Sequence, residues 1–124
     1  MMKIMVVAIG GSIGAAARYI VSVWAAERFG SDFPYGTLIV NVVGCFIIGA
    51  FMVLVTERVI ANPYWRLLVA VGFVGGLTTF SSFGFETLKL VEDAQLSWAM
   101  YNILTNFIFG FFATWLGMTV ARAM

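Results

Sequence analysis

The chain has no histidine, one cysteine, two prolines and only 10% charged residues in 124 positions. Each scarcity closes off a class of chemistry. Without histidine, the commonest transition-metal ligand and the side chain that most readily carries a proton near neutral pH are both missing, so a histidine-ligated metal enzyme or a histidine relay is not expected. The lone Cys45 cannot close a disulfide within the chain, offers too few thiolates for a metal, and reads as packing inside an apolar run. Seven Lys and Arg against six Asp and Glu leave a net charge of +1, with no basic patch to hold nucleic acid.

What remains is apolar. Hydrophobic residues make up 62% of the chain, against roughly 45–50% in soluble domains. That composition belongs in lipid, and thirteen glycines suit helices that pack closely there. A helix crossing a hydrocarbon core of about 30 Å needs roughly 20 residues, so the sparse charges mark the spans. They delimit four, over residues 4–26, 36–56, 67–88 and 96–120, joined by short polar turns with no room for a soluble domain. The first span superficially resembles a secretory signal, with Lys3 and the run Ala15, Ala16, Ala17, but its apolar character resumes past Arg18 and three further spans follow. Tyr35, Tyr64, Trp65 and Trp98 fall near span ends, where amphipathic rings meet headgroups.

Four crossings place Lys3, Arg58, Arg66 and Arg122 on one side, and Arg28 and Lys89, with Arg18 if it faces that way, on the other. This bias is too weak to fix orientation by the rule that cytoplasmic loops carry excess Lys and Arg. Insertion both ways round is consistent with it.

Within the spans, polar and small residues recur at helical spacing. Gly10, Gly14 and Arg18 share a face of the first, where the glycines suit a packing seam and Arg18 must snorkel, pair or line a wet cavity. Thr37, Asn41 and Gly44 share a face of the second, and a carboxamide among Val40, Val42 and Val43 needs partners, either a neighbouring helix or a permeating ligand. Gly72, Gly75, Gly76, Thr78, Thr79, Ser81 and Ser82 crowd one stretch of the third span, which predicts a broken helix whose freed carbonyls and amides can hold ions. Phe80 and Phe83 follow, three apart; ring edges are electropositive and can meet an anion. Asn102, Asn106, Gly110 and Thr114 run along the fourth span at intervals of four. Acids are nearly absent from the interior, with Glu86 alone a candidate, which disfavours a proton-coupled exporter of cationic drugs. That exporter and a non-transporting assembly subunit are the competing readings.

The string Gly75-Gly76-Leu77-Thr78-Thr79-Phe80-Ser81-Ser82-Phe83 followed by Glu86, together with Gly36-Thr37-Leu38 and Asn41, and Gly11-Ser12-Ile13-Gly14 before Arg18-Tyr19, closely resembles the bacterial fluoride channel family, Fluc or CrcB. The resemblance spans essentially the whole chain. It implies an all-α membrane protein of four transmembrane helices, paired as an antiparallel, dual-topology homodimer in a bacterial inner membrane, with fluoride pathways along the subunit interface and no catalysed reaction. It further implies that Phe80 and Phe83 line the pathway, that Asn41 supports conduction, and that Ser81, Ser82 and Thr114 form a polar track, with Thr37 a further pathway candidate. A structural sodium ion would be held by the backbone carbonyls of Gly75 and Thr78 of both subunits. Arg18 is expected to concentrate anions near a mouth. The fourth helix departs from the pattern, with Gly110 where some relatives carry serine and Asn106 at the polar position before it.

Overall fold

The computed structural model describes residues 1–58 and 62–124, so the turn read over residues 57–66 lies partly outside it. Among the described residues every element is helical: α1 (Met2–Phe29), α2 (Tyr35–Glu57), α3 (residues 63–77), α4 (Phe80–Glu92) and α5 (Leu96–Ala123). Four stretches are long and apolar enough to cross a membrane, α3 and α4 counting together as Pro63–Glu92.

Local chemistry sets the ends. Gly30, at φ 83°, closes α1 by donating its N–H to the Ala26 carbonyl at 2.9 Å, in a left-handed conformation that favours glycine. Phe33 then drops into the bundle, 2% exposed, with its ring 4.8–5.2 Å from those of Tyr35, Trp98 and Tyr101. This aromatic knot fixes how α1 turns into α2 against the start of α5. At the start of α3, Pro63 occupies the first turn, where its missing N–H costs nothing, and Asn62 Oδ1 accepts from Tyr64 N at 3.0 Å.

α3 opens as a single α turn (Pro63–Trp65), widens into a π-wound stretch (Arg66–Val74) and tightens again at Gly75–Leu77. Thr78 (φ −83°, ψ 156°) and Thr79 (φ −150°, ψ 121°) are extended, and α4 begins at Phe80. The π winding has no counterpart in the sequence reading. It lies where α1 presses closest: a Cβ added at Gly10 would overlap the Leu68 carbonyl, and one at Gly14 the Phe73 carbonyl. A second backbone seam joins α2 to α5, where Gly49 faces the Thr114 carbonyl and Gly117 the Phe46 carbonyl. Small residues are what allow helix axes to approach this closely where no hydrophobic drive distinguishes neighbour from lipid.

At the end holding both termini, Arg122 makes a two-pronged contact with Glu57 (Nη2 to Oε1 2.9 Å, Nε to Oε2 3.1 Å), and Arg58 donates to the Arg122 carbonyl at 2.9 Å. The outer faces are strongly apolar, with Ile4, Ile20, Phe85, Leu88 and Phe111 all exposed.

Candidate functional site

The two seams leave a groove where α2, α3, α4 and α5 converge. It has a volume of about 460 Å³ and is walled by Asn41, Gly44, Val74, Gly75, Thr78, Thr79, Phe80, Phe83, Asn106, Phe107 and Gly110, among others. Residues from four separate stretches of sequence therefore meet at one mid-span location.

Asn41 organises it. Its Oδ1 accepts from Thr79 N at 2.9 Å, while its Nδ2 donates to the Thr79 carbonyl at 3.2 Å and to Asn106 Oδ1 at 3.0 Å. The carboxamide thus serves both backbone groups of one extended residue. Its orientation is fixed, because a flipped amide would set N–H against the Thr79 N–H. Thr79 also caps α4, its Oγ1 accepting from Ser82 N at 3.1 Å.

These two bonds have a consequence for the carbonyls. In an unbroken helix the amides of Thr79 and Ser82 would turn to the carbonyls four residues back, those of Gly75 and Thr78. Here they go to Asn41 Oδ1 and Thr79 Oγ1. Arg18 Nε reaches the neighbouring Gly76 carbonyl at 3.1 Å, placing a cation at the carbonyl end of α3. Arg18 is therefore paired to the third span rather than lying in the groove wall.

The ring of Phe83 is buried (8% exposed), whereas Phe80 stands 78% exposed at the groove margin, the two centroids 5.7 Å apart. Ser82 Oγ has no hydrogen-bond partner among the described residues, and the exposed Ser81 Oγ lies 3.4 Å from Thr79 Oγ1. Both hydroxyls can donate to an incoming group.

Ser81 and Ser82 follow Phe80 in α4 but are not among the residues that line the groove, and two further candidates lie in other depressions. Thr37 Oγ1 donates to Glu86 Oε1 at 2.7 Å in a separate depression of about 400 Å³ near the α1–α2 turn. Thr114 donates to the Gly110 carbonyl at 3.0 Å and lines a third depression of about 220 Å³ beside Glu57 and Arg122. Sequence reading missed the partners of α5: Asn102, fully buried, donates to Thr87 Oγ1 at 2.9 Å, and Thr87 donates to the Phe83 carbonyl at 2.7 Å. The spacing of four from Phe83 to Thr87 was the available signal, since both lie on the face α4 turns toward α5.

Comparison with known proteins agrees with this architecture. The family model described as CrcB-like protein, Camphor Resistance (CrcB), matches residues 5–118. The chain is 49% identical over 124 residues to the fluoride-specific ion channel FluC of Sulfurihydrogenibium sp. (strain YO3AOP1), with both chains covered completely. It is 47% identical over 123 residues to the FluC of Roseiflexus sp. (strain RS-1), covering 99% of each chain. It is also 44% identical over 121 residues to that of Acidobacterium capsulatum, covering 98% of this chain and 97% of the relative. With the family model matching residues 5–118 and relatives 44–49% identical over nearly the whole length, the chain belongs to the CrcB family.

Proposed function

We propose that this protein is a fluoride channel of a bacterial inner membrane, working as an antiparallel, dual-topology homodimer that releases cytoplasmic fluoride passively. The observation that carries the reading is the groove beside Thr79, where Phe80, Phe83 and Asn41 meet in a chain whose full-length relatives bear the name fluoride-specific ion channel. Hydrofluoric acid crosses lipid and ionises inside, so a passive anion pathway suffices for efflux and no reaction is needed.

Fluoride is small and holds water tightly, so the pathway must replace its shell with donors. Ser81 and Ser82 offer hydroxyls, and Phe80 and Phe83 offer electropositive ring edges. The start of α4 adds to these: the Phe80 and Ser81 amides donate to no described backbone carbonyl, and a helix N-terminus favours anions. Thr37 and Thr114 extend the polar positions toward opposite ends of the bundle.

The dimer is supported by the groove's openness. Phe80 is exposed in the single chain, and the groove, though walled mostly by apolar side chains, borders the Gly75 and Thr78 carbonyls left without their helical amides, groups that lipid cannot satisfy. A second copy closes it. Inversion of that copy is compatible with the near-balance of Lys and Arg between the two ends.

The residues present also fit a structural sodium ion. The Gly75 and Thr78 carbonyls lose the amides that a continuous helix would give them, and oxygen donors of this kind suit a hard cation. Those carbonyls, from both subunits, would hold it. When bound, the ion supplies fixed positive charge and ties the third spans together; this chain's own part is to keep the two carbonyls unclaimed.

The test is anion release from liposomes containing the purified protein. Electrogenic fluoride efflux with chloride retained is expected, and a well-folded dimer that passes no fluoride removes the reading. Replacing sodium by a bulky organic cation on both sides is expected to weaken dimer stability; unchanged stability would remove the metal assignment.

A further inference from the structure

Around the groove the side-chain hydrogen bonds form one directed series. It begins at the Thr79 N–H, which donates to Asn41 Oδ1; Asn41 Nδ2 donates to Asn106 Oδ1, and Asn106 Nδ2 to Asn102 Oδ1 at 2.9 Å. Asn102 Nδ2 donates to Thr87 Oγ1, and Thr87 donates to the Phe83 carbonyl. The series passes through α2, α5 and α4 and returns to the third span four residues from where it began. Every link points the same way, so each bond polarises the next.

The donor inventory then decides what Asn41 can do. A carboxamide has two N–H groups, and those of Asn41 are engaged by the Thr79 carbonyl and Asn106 Oδ1. Asn106 is similarly occupied, its Nδ2 facing both Asn102 O and Asn102 Oδ1 at 2.9 Å. Neither amide retains an N–H for an anion. The unengaged donor in the groove wall is instead the Phe80 amide at the start of α4, with the Ser81 amide and the Ser82 hydroxyl following it in the chain.

We propose that the Asn41–Asn106–Asn102–Thr87 series is a positioning device that holds Thr79 extended and Phe83 in register, and that Asn41 serves conduction through this hold rather than as a fluoride ligand. The inference rests on the fluoride reading above. Asn102 and Thr87 are essential to it because both are buried and neither lines the groove, so any effect they have on flux must pass through the residues they hold.

Two measurements decide it. In the first, protein labelled with ¹⁵N at asparagine side chains is reconstituted in liposomes with saturating fluoride, and ¹⁹F dephasing is read at Asn41 Nδ2 by solid-state NMR. No dephasing is expected there; clear dephasing would mark a direct ligand and overturn the proposal. In the second, Thr87→Val keeps the side chain's shape but removes the hydroxyl, and Thr87→Ser restores it. Loss of a link is expected to slow maximal fluoride efflux about fivefold in Thr87→Val, the equivalent of one hydrogen bond, with the half-saturating fluoride concentration unchanged. Thr87→Ser is expected to recover the wild-type rate to within about twofold. Wild-type flux in a folded Thr87→Val dimer, or a rise in its half-saturating concentration with the rate preserved, overturns the proposal. A wild-type protein that passes no fluoride overturns the channel reading itself, an outcome separate from either of these.

Discussion

The crossing of α1 over α3 and the extended pair Thr78–Thr79 occupy the same span and are held by opposite means. At the crossing, Gly10 and Gly14 bring backbone against the Leu68 and Phe73 carbonyls, and stability depends on atoms being absent. At Thr79, a backbone amide that has left the helical ladder is met by a carboxamide that also donates to the carbonyl of the same residue, and stability depends on atoms being present. The first arrangement should therefore fail when something is added, and the second when something is removed.

The largest effect is expected at the crossing. Gly14→Val places a side chain where even a Cβ overlaps the Phe73 carbonyl, and backbone cannot yield as a flexible side chain can. Overpacking of this kind costs about 3 kcal/mol or more. The measurable outcome is loss of folded protein on size-exclusion chromatography, and recovery of normal amounts of stable protein would show that the seam is loose.

Asn41→Leu should come next. It preserves approximate volume but strands the Thr79 amide, at about 1–3 kcal/mol for a donor left unsatisfied. Fluoride efflux is expected to fall about 100-fold or more if that disturbance reaches the pathway. The protein should still fold, because the glycine seams are untouched; efflux within a few-fold of wild type would mean that the carboxamide is not what holds the segment.

The smallest effect sharpens the contrast. Gly110 also lies in a wall of small residues, yet a Cβ added there meets only Cys45 Sγ at 3.5 Å, an ordinary contact. Gly110→Ala should leave thermal stability within about 0.5 kcal/mol or raise it slightly, since alanine favours the helix. A destabilisation matching that of Gly14→Val would erase the distinction between glycines at a crossing and glycines in the groove.

Much of this was legible in the sequence because lipid imposes simple rules. Charged residues bracket four apolar stretches, and Asn41 had to find partners wherever it was buried. The interval of four along α5 correctly put Asn102, Asn106, Gly110 and Thr114 on one face. It could not say what that face meets: Asn106 and Gly110 wall the groove, whereas α5 has passed beyond it by Thr114, which borders the Glu57–Arg122 depression. The π winding of Arg66–Val74 was not legible, since a run of Leu, Val, Ala and Phe with one glycine does not distinguish π from α winding, and the winding coincides with α1 packing. The link from Asn102 to Thr87 was hidden for a related reason. It joins two helices, and spacing within one helix carries no record of the other.

The central claim is that fluoride passes along the groove beside Phe80 and Phe83, and the most direct measurement is initial fluoride efflux from liposomes carrying Phe80→Ile or Phe83→Ile. Isoleucine keeps an apolar side chain but has no electropositive ring edge. Both proteins should assemble as the wild type does, with efflux slowed at least about tenfold, an added barrier of about 1.4 kcal/mol. Unchanged efflux in both, from intact dimers, would place the fluoride route somewhere other than this groove.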